Sequence, residues 1–215
     1  MSCCGHCEDA GDLFNARAAR RDLRRYRARG PSATTRLLLD ALLAVRGPGD
    51  RALLDVGGGV GAISHELLQA GFEGAVQVDA STAYLAASGK EAARRGHRER
   101  ISFHFGDFVD LADALAPADV VTLDRVLCCY PDVERLVSAS VEKARHLYGL
   151  VYPRERALTR AGVSLANAWF RVRRSEFRTF VHSPEQVERI IRERGFRRAS
   201  LRETPIWRVE TWVRE

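Results

Sequence analysis

The stretch that decides the fold is Leu53–Ser64, which reads LLDVGGGVGAIS. An apolar run, Ala52–Val56, carries one acid, Asp55, and runs into Gly57-Gly58-Gly59-Val60-Gly61. Small and apolar residues follow with helical spacing. This is the pattern of a strand, a tight turn and the start of a helix. Glycines in such a turn can take positive φ, and without a Cβ they let a ligand lie on the backbone. The helix beyond opens with free N–H groups. Open α/β sheets bind their ligands at this carboxyl edge. The stretch therefore predicts the first strand of an α/β sheet with a ligand cradle at its end.

The glycines alone do not choose the ligand. Gly57, Gly59 and Ala62 fit the dinucleotide spacing G-x-G-x-x-A only loosely. A more demanding pattern is Asp55-x-Gly57-x-Gly59-x-Gly61. A carboxylate two residues ahead of the first glycine repels a pyrophosphate but favours a sulfonium or an α-amino group. This D-x-G-x-G-x-G pattern resembles the class I S-adenosylmethionine (SAM) methyltransferases. The plain alternatives are an NAD-dependent oxidoreductase and a glycine turn without a ligand.

Moving outward, the second strand is Gly74–Val78, ending in Asp79-Ala80. Asp79 lies roughly 20 residues past the glycine turn, where an acid reaches a ribose diol. The third strand, Ile101–Phe105, alternates Ile101, Phe103 and Phe105 and ends in Gly106-Asp107-Phe108. In the methyltransferases it resembles, an acid and an aromatic there hold the adenine. The fourth strand, Asp119–Leu123, is nearly all apolar, as in a buried parallel strand. Polar groups crowd its end: Asp124, Arg125, Cys128, Cys129 and Tyr130-Pro131. A helix over Val133–Arg145 and a fifth strand, Tyr148–Tyr152, follow.

Helices fill the intervals. A basic helical segment over 8–30 carries seven arginines around a stripe of Phe14, Ala18, Leu23 and Tyr26, and Gly30-Pro31 ends it. It reads as a lid over the cofactor cleft. Helices at 32–45, Ala62–Ala70 and Thr82–Arg95 come next, with Ser32 or Thr34 and then Ser81 as caps. Residues 154–182 are longer than a plain connection and predict a substrate-side helical insertion, with a helix over Leu158–Val172. Ser183-Pro184-Glu185 opens another helix. Phe196–Thr204 and Trp207–Arg214 read as a terminal hairpin. The expected architecture is a Rossmann-like, seven-stranded, mostly parallel sheet with a terminal antiparallel hairpin and helices on both faces. Residues 1–30 form an N-terminal cysteine cluster and lid, and 31–215 a single methyltransferase domain.

The bulk numbers are compatible. The chain has 215 residues, 46% hydrophobic and 29% charged, enough for one full core. No apolar run approaches the ~20 residues of a membrane span, and no signal-like segment follows Met1. A cytoplasmic protein is the expectation. The net charge of +6 is almost wholly arginine, with Lys90 and Lys143 the only lysines. Arginine grips carboxylates and phosphates bidentately, so the excess suits an acidic substrate, nucleic acid or a membrane surface, the plain alternative being a GC-rich genome. The basic stretches lack the regular aromatic interleaving of a base-stacking surface. An acidic small molecule is thus favoured over nucleic acid as the partner. The sequence does not fix an oligomeric state.

A narrower resemblance is to the magnesium-protoporphyrin O-methyltransferases. It is carried by Leu13-Phe14-Asn15, Arg25-Tyr26, Tyr130-Pro131, and the basic helix after strand five with a histidine, His182, near Ser183-Pro184. In that family a lid tyrosine and a histidine before the Tyr-Pro pair are implicated in catalysis. Tyr26 matches the first, whereas Cys129 stands at the second. That family also lacks this N-terminal cysteine cluster.

Methyl transfer from a sulfonium is an in-line displacement, so positioning carries much of the effect. A carboxylate acceptor needs no base but needs an arginine clamp, for which Arg25, Arg125, Arg154 and Arg174 are candidates. A thiol or hydroxyl acceptor needs a base, for which His182, Tyr26 or Asp124 are placed. The catalytic candidates are therefore Tyr26, Asp124, Arg125, Cys129, Tyr130 and His182. The cofactor candidates are Asp55, Gly57, Gly59, Gly61, Asp79, Ala80, Gly106, Asp107, Phe108 and Asp124. No metal is assigned, but Cys3, Cys4, Cys7, Cys128 and Cys129 form a thiolate set suited to a soft metal or metalloid. That set keeps open a thiol or metalloid methyltransferase. A non-catalytic binding protein on the same scaffold is the remaining class.

Overall fold

Strand β1 (Ala52–Val56) lies between β2 (Gly74–Asp79) and β4 (Ala118–Asp124), parallel to both. The computed structural model that shows this describes residues 13–215. Beyond β2 lies β3 (Ile101–Phe105), and beyond β4 lies β5 (Ala144–Pro153), both parallel. The hairpin of β6 (Phe196–Glu203) and β7 (Trp207–Arg214) completes the sheet, with β7 antiparallel to β5. The order is β3-β2-β1-β4-β5-β7-β6. Connections reverse direction between β1 and β4, the crevice where such sheets take ligands.

Alternating strand residues face two cores. Leu53 and Val120 join one, and their neighbours Leu54 and Val121 the other. The first is closed by α2 (Ala33–Val45), α3 (Ala62–Gln69) and α4 (Thr82–Arg95) through Leu38, Leu67 and Ala92. The second is closed by the short α5 (Phe108–Leu111), α6 (Val133–Glu142) and α8 (Pro184–Arg192) through Phe108, Val137 and Ile190. Sheet and helix periodicities thus agree at the level of single residues.

Helix α1 (Ala16–Arg29) opens on Asn15, which caps it and accepts from the N–H groups of Arg17 and Ala18 at 2.9 and 3.2 Å, while residues 8–12 of the expected 8–30 segment lie outside the described residues. The expected cysteine cluster at Cys3, Cys4 and Cys7 lies outside the described residues. The buried stripe of α1 is Ala19, Leu23 and Tyr26, packed on Tyr84 and Ala87 of α4. Ser32, not Thr34, caps α2. The helix expected to reach Arg145 ends at Glu142. Ala144 already pairs with Ala118 and Leu147 with Val120, so β5 begins earlier than the expected Tyr148. In the long connection after β5, α7 (Ala157–Val172) buries no residue fully. No helix among the described residues is long and apolar enough to cross a membrane.

Candidate active site

The glycine turn is locked by its own backbone. Gly57, Gly59 and Gly61 have φ of 63°, 56° and 77°, which favours glycine at each. A Cβ on Gly57 would lie 2.5 Å from Val126 Cγ2, and one on Gly61 2.3 Å from Ser88 Oγ. Asp79 Oδ2 accepts from the Gly59 N–H at 2.9 Å, and Oδ1 from the Ser81 N–H at 2.8 Å. The end of β2 therefore holds the turn after β1. Burial pushes the Asp79 carboxyl up, and these two donors oppose it.

A cavity of about 430 Å³ opens at this carboxyl edge. Gly57, Gly59, Asp79, Ala80, Gly106, Asp107 and Phe108 line one part of it, and Asp124, Arg125, Cys128, Cys129 and Tyr130 another. A second cavity of about 190 Å³ adjoins it, sharing Asp22, Gly57, Gly59, Tyr84, Asp124 and Arg125. Asp107 accepts from the Val109 N–H at 2.9 Å, capping α5, and from the Tyr130 hydroxyl at 3.0 Å. That bond ties the two parts of the cavity wall together.

Asp124 accepts from the Thr35 hydroxyl at 2.5 Å and from Arg125 Nε at 3.0 Å. Arg125 takes a left-handed φ of 63°, rare for a side chain of its size. Its N–H donates to Val151 O at 2.8 Å, which holds that conformation at the end of β4. Strain of this kind concentrates where a side chain must be aimed. Cys128 and Cys129 lie on one turn of 3₁₀ helix with their sulfurs 3.6 Å apart. The bond between them draws the Cys128 thiol below its ordinary value, with Arg125 adding, and pushes the Cys129 thiol up.

Four candidates stand elsewhere than expected, the first being Gly61, which lines neither cavity. Asp55 is buried and lines only the smaller cavity. It accepts from the Thr122 and Ser64 hydroxyls at 2.8 and 3.0 Å, and burial raises its carboxyl to about 7. Tyr26 also lines the smaller cavity, but its hydroxyl donates to Glu66 at 2.6 Å. Burial first, and that bond second, raise the Tyr26 phenol well above its ordinary value, the reverse of what a general base needs. His182 lines neither cavity. Its Nε2 donates to Leu127 O and Tyr130 O at 2.9 and 3.0 Å, bracing the 127–130 turn, and burial lowers its basicity.

Of the four clamp candidates, only Arg125 lines the larger cavity and only Arg25 joins it at the smaller. Arg154 pairs with Glu203 at 2.5 Å, on the hairpin. Arg174 lines neither cavity. On α1, the residue facing the larger cavity is the acid Asp22, whose carboxylate accepts from the Tyr84 hydroxyl at 2.5 Å. Phe14 joins it there and packs edge-on against Tyr84 with centroids 5.9 Å apart. Sequence reasoning missed Asp22, Thr35 and Tyr84. Tyr84 carries a local signal, three residues past the Ser81 cap in the first turn of α4. Thr35 carries none, since its partner is 89 residues away. Among the described residues no group of three or more His, Cys, Asp or Glu side chains is arranged to hold a metal ion.

Residues 53–147 match a family model described as a methyltransferase domain. No curated relative matches the chain in sequence. The fold is similar to that of magnesium protoporphyrin IX methyltransferase from Synechocystis PCC 6803, solved with S-adenosylhomocysteine (SAH) bound, at a TM-score of 0.73 and 21% identity over 96% of this chain and 98% of that chain. It is also similar to an O-methyltransferase family 2 protein from Planctomyces limnophilus in complex with apigenin, at 0.65 and 20% over 94% and 62%. A geranyl diphosphate C-methyltransferase from Streptomyces coelicolor aligns at 0.67 and 13% over 85% and 79%. The methyltransferase-domain match covers residues 53–147, and the fold of the chain is that of the solved methyltransferases it resembles.

Proposed function

We propose that the chain methylates a small acidic molecule, with a carboxylate as acceptor, at the cavity between the glycine turn and Arg125. The observation that carries the acceptor is Arg125, the one guanidinium lining that cavity; the four carboxylates that also line it, Asp22, Asp79, Asp107 and Asp124, bear on the cofactor. A carboxylate-rich wall around a glycine floor suits a cationic ligand bearing hydroxyls and amines, and repels a diphosphate. SAM fits that description. Gly57, Gly59 and Ala80 would form its floor, Asp79 would take the ribose hydroxyls, and Gly106, Asp107 and Phe108 the adenine. Asp55 would act from beneath, fixing the turn through Ser64 and Thr122. When bound, SAM supplies a methyl group on a sulfonium.

The chain's own part is then placement. Arg125, aimed by its strained backbone and by Asp124, would hold the acceptor carboxylate. Tyr130 would close the wall through Asp107, and His182 would keep Tyr130 in position. A carboxylate nucleophile at neutral pH needs no proton removed, which agrees with the raised phenol of Tyr26 and the lowered basicity of His182. The lid role expected for residues 1–30 rests on α1, whose Asp22 reaches the larger cavity and Arg25 and Tyr26 the smaller. The similarity in fold to magnesium protoporphyrin IX methyltransferase supports testing protoporphyrins first.

The test uses SAM labelled with tritium in the methyl group and a panel of carboxylic acids that includes protoporphyrins. Label that transfers and is released as methanol in mild alkali marks a methyl ester and supports the reading. Alkali-stable label, or none on any carboxylate, sinks it. A second reading is favoured by the thiol pair. Two thiolates on one tetrahedral soft ion at ~2.3 Å would stand ~3.8 Å apart, close to the 3.6 Å between Cys128 and Cys129. In that reading the pair holds a soft metalloid acceptor. With Cys3, Cys4 and Cys7 changed to serine, one phenylarsine oxide per chain, lost on adding Cys129→Ser, would favour it.

A further inference from the structure

Helix α7 carries an apolar stripe that the protein leaves uncovered. Leu158, Leu165, Trp169 and Val172 are 88%, 74%, 51% and 83% exposed. Their spacing of seven, four and three residues puts them on one face of the helix. The opposite face meets the body of the protein. Asn167 donates to Thr179 O at 2.8 Å, and the Phe170 ring stands edge-on to Phe177 at 5.3 Å. So α7 is anchored by one face and presents the other. Ile206, 55% exposed, lies close to the start of α7, since its carbonyl accepts from the Arg154 N–H at 2.8 Å. A folded protein seldom leaves so many large apolar groups together in water without a use.

Charge identifies the occupant. Arg156, Arg160, Arg171, Arg173 and Arg174 are all exposed, and no acidic residue occurs between Arg156 and Ser175. Arg160 pairs with Glu155, and the Arg173 guanidinium lies 4.5 Å from the Trp169 ring. A second copy of the chain would bring the same arginines against these, so self-association is opposed by like charge. A nucleic acid would meet the arginines but has no use for an aliphatic stripe. An anionic bilayer surface satisfies both, with apolar side chains at the acyl boundary and arginines among the headgroups. At 16 residues α7 is about 24 Å long, which suits lying in the interface rather than crossing it.

We propose that α7 docks this methyltransferase on an anionic phospholipid surface. Through its anchored face α7 is joined to the active site. Phe177 packs against Phe14 at 6.1 Å, and the Phe180 N–H donates to Cys128 O at 2.8 Å; Phe14 and Cys128 both line the larger cavity. An acceptor that partitions into lipid would therefore reach the cavity from the docked side, a consequence that rests on the function proposed above, whereas the docking does not.

The test is flotation of the full chain with vesicles of phosphatidylcholine alone and of phosphatidylcholine with phosphatidylglycerol. The chain should float with the anionic vesicles, lose most of that binding at high salt, and bind neutral vesicles at least tenfold more weakly. Leu165→Glu with Val172→Glu should cut the anionic binding at least tenfold while leaving SAH-induced thermal stabilisation intact, since both side chains are exposed. Absence of flotation with anionic vesicles, or equal flotation of the double variant, overturns the proposal. So does light scattering that finds a wild-type dimer which the double variant turns into monomers, because the face would then join copies of the chain. Loss of SAH stabilisation in wild type would strike the proposed function and leave the docking result standing.

Discussion

At the glycine end of the cavity, Asp79 is held by the N–H groups of Gly59 and Ser81, and the Gly61 position is boxed in by Ser88 and His65. At the arginine end, Arg125 leans on Asp124, Asp124 on Thr35 of a distant helix, and the 127–130 turn on His182. The first wall is braced within and between neighbouring strand ends and tolerates little change. The second is assembled from separate parts of the chain. A site that must take one invariant ligand and one particular acceptor is expected to divide this way, with a rigid half and a half open to variation.

The largest expected effect is at the rigid wall. Gly61→Ala would force a left-handed φ on alanine and set its Cβ 2.3 Å from Ser88 Oγ. Urea unfolding should show a loss of about 3 kcal/mol; a midpoint equal to wild type would mean the turn is not rigid. Next comes a pH effect from Asp55. Its carboxyl titrates near 7 in the fold against ~3.9 unfolded. A raised acid binds its proton more tightly in the native state, so its stabilisation is complete below pH ~4 and is lost as pH rises through 7. Between pH 5 and 7 wild type should lose about 2 kcal/mol relative to Asp55→Asn. His65, lowered to about 4 by burial, gives the opposite slope but in both proteins alike. Parallel pH profiles for the two would contradict the assignment.

Asp79→Ala should weaken SAH about thirtyfold, roughly 2 kcal/mol, by removing a charged acceptor and freeing Gly59. Calorimetric affinity within a factor of three of wild type would break the claim. Smallest is Arg125→Ala on the adaptable wall. It should lower kcat/KM for a carboxylate acceptor about tenfold, near 1.4 kcal/mol, with SAH affinity unchanged. Equal losses in both measurements would show that the two walls are not separable.

The same division explains what the sequence could tell. The glycine turn, Asp79 and Asp107-Phe108 are legible because each acts within a few residues of a strand end, and the strand pattern places those ends side by side. The terminal hairpin is legible from two short runs around Pro205. The second wall depends on contacts that no local pattern encodes, such as Thr35 with Asp124 and His182 with Leu127, 89 and 55 residues apart. Tyr26 and His182 looked like bases by residue type, but burial and their hydrogen bonds make both poor ones. Of the arginines of α1, the clamp candidate Arg25 lines the smaller cavity. Arg27 instead joins Arg94 and Arg95 on the buried Glu91, where burial alone would raise the carboxyl but the three guanidiniums hold it well below the usual range. Arg27 thereby ties α1 to α4.

The most direct test of the two-walled site is calorimetric titration of SAH, and separately of NAD, into wild type and Arg125→Ala. The account predicts one SAH bound per chain with equal affinity in both proteins and no binding of NAD. Binding of NAD without SAH, or loss of SAH binding on removing Arg125, would contradict it.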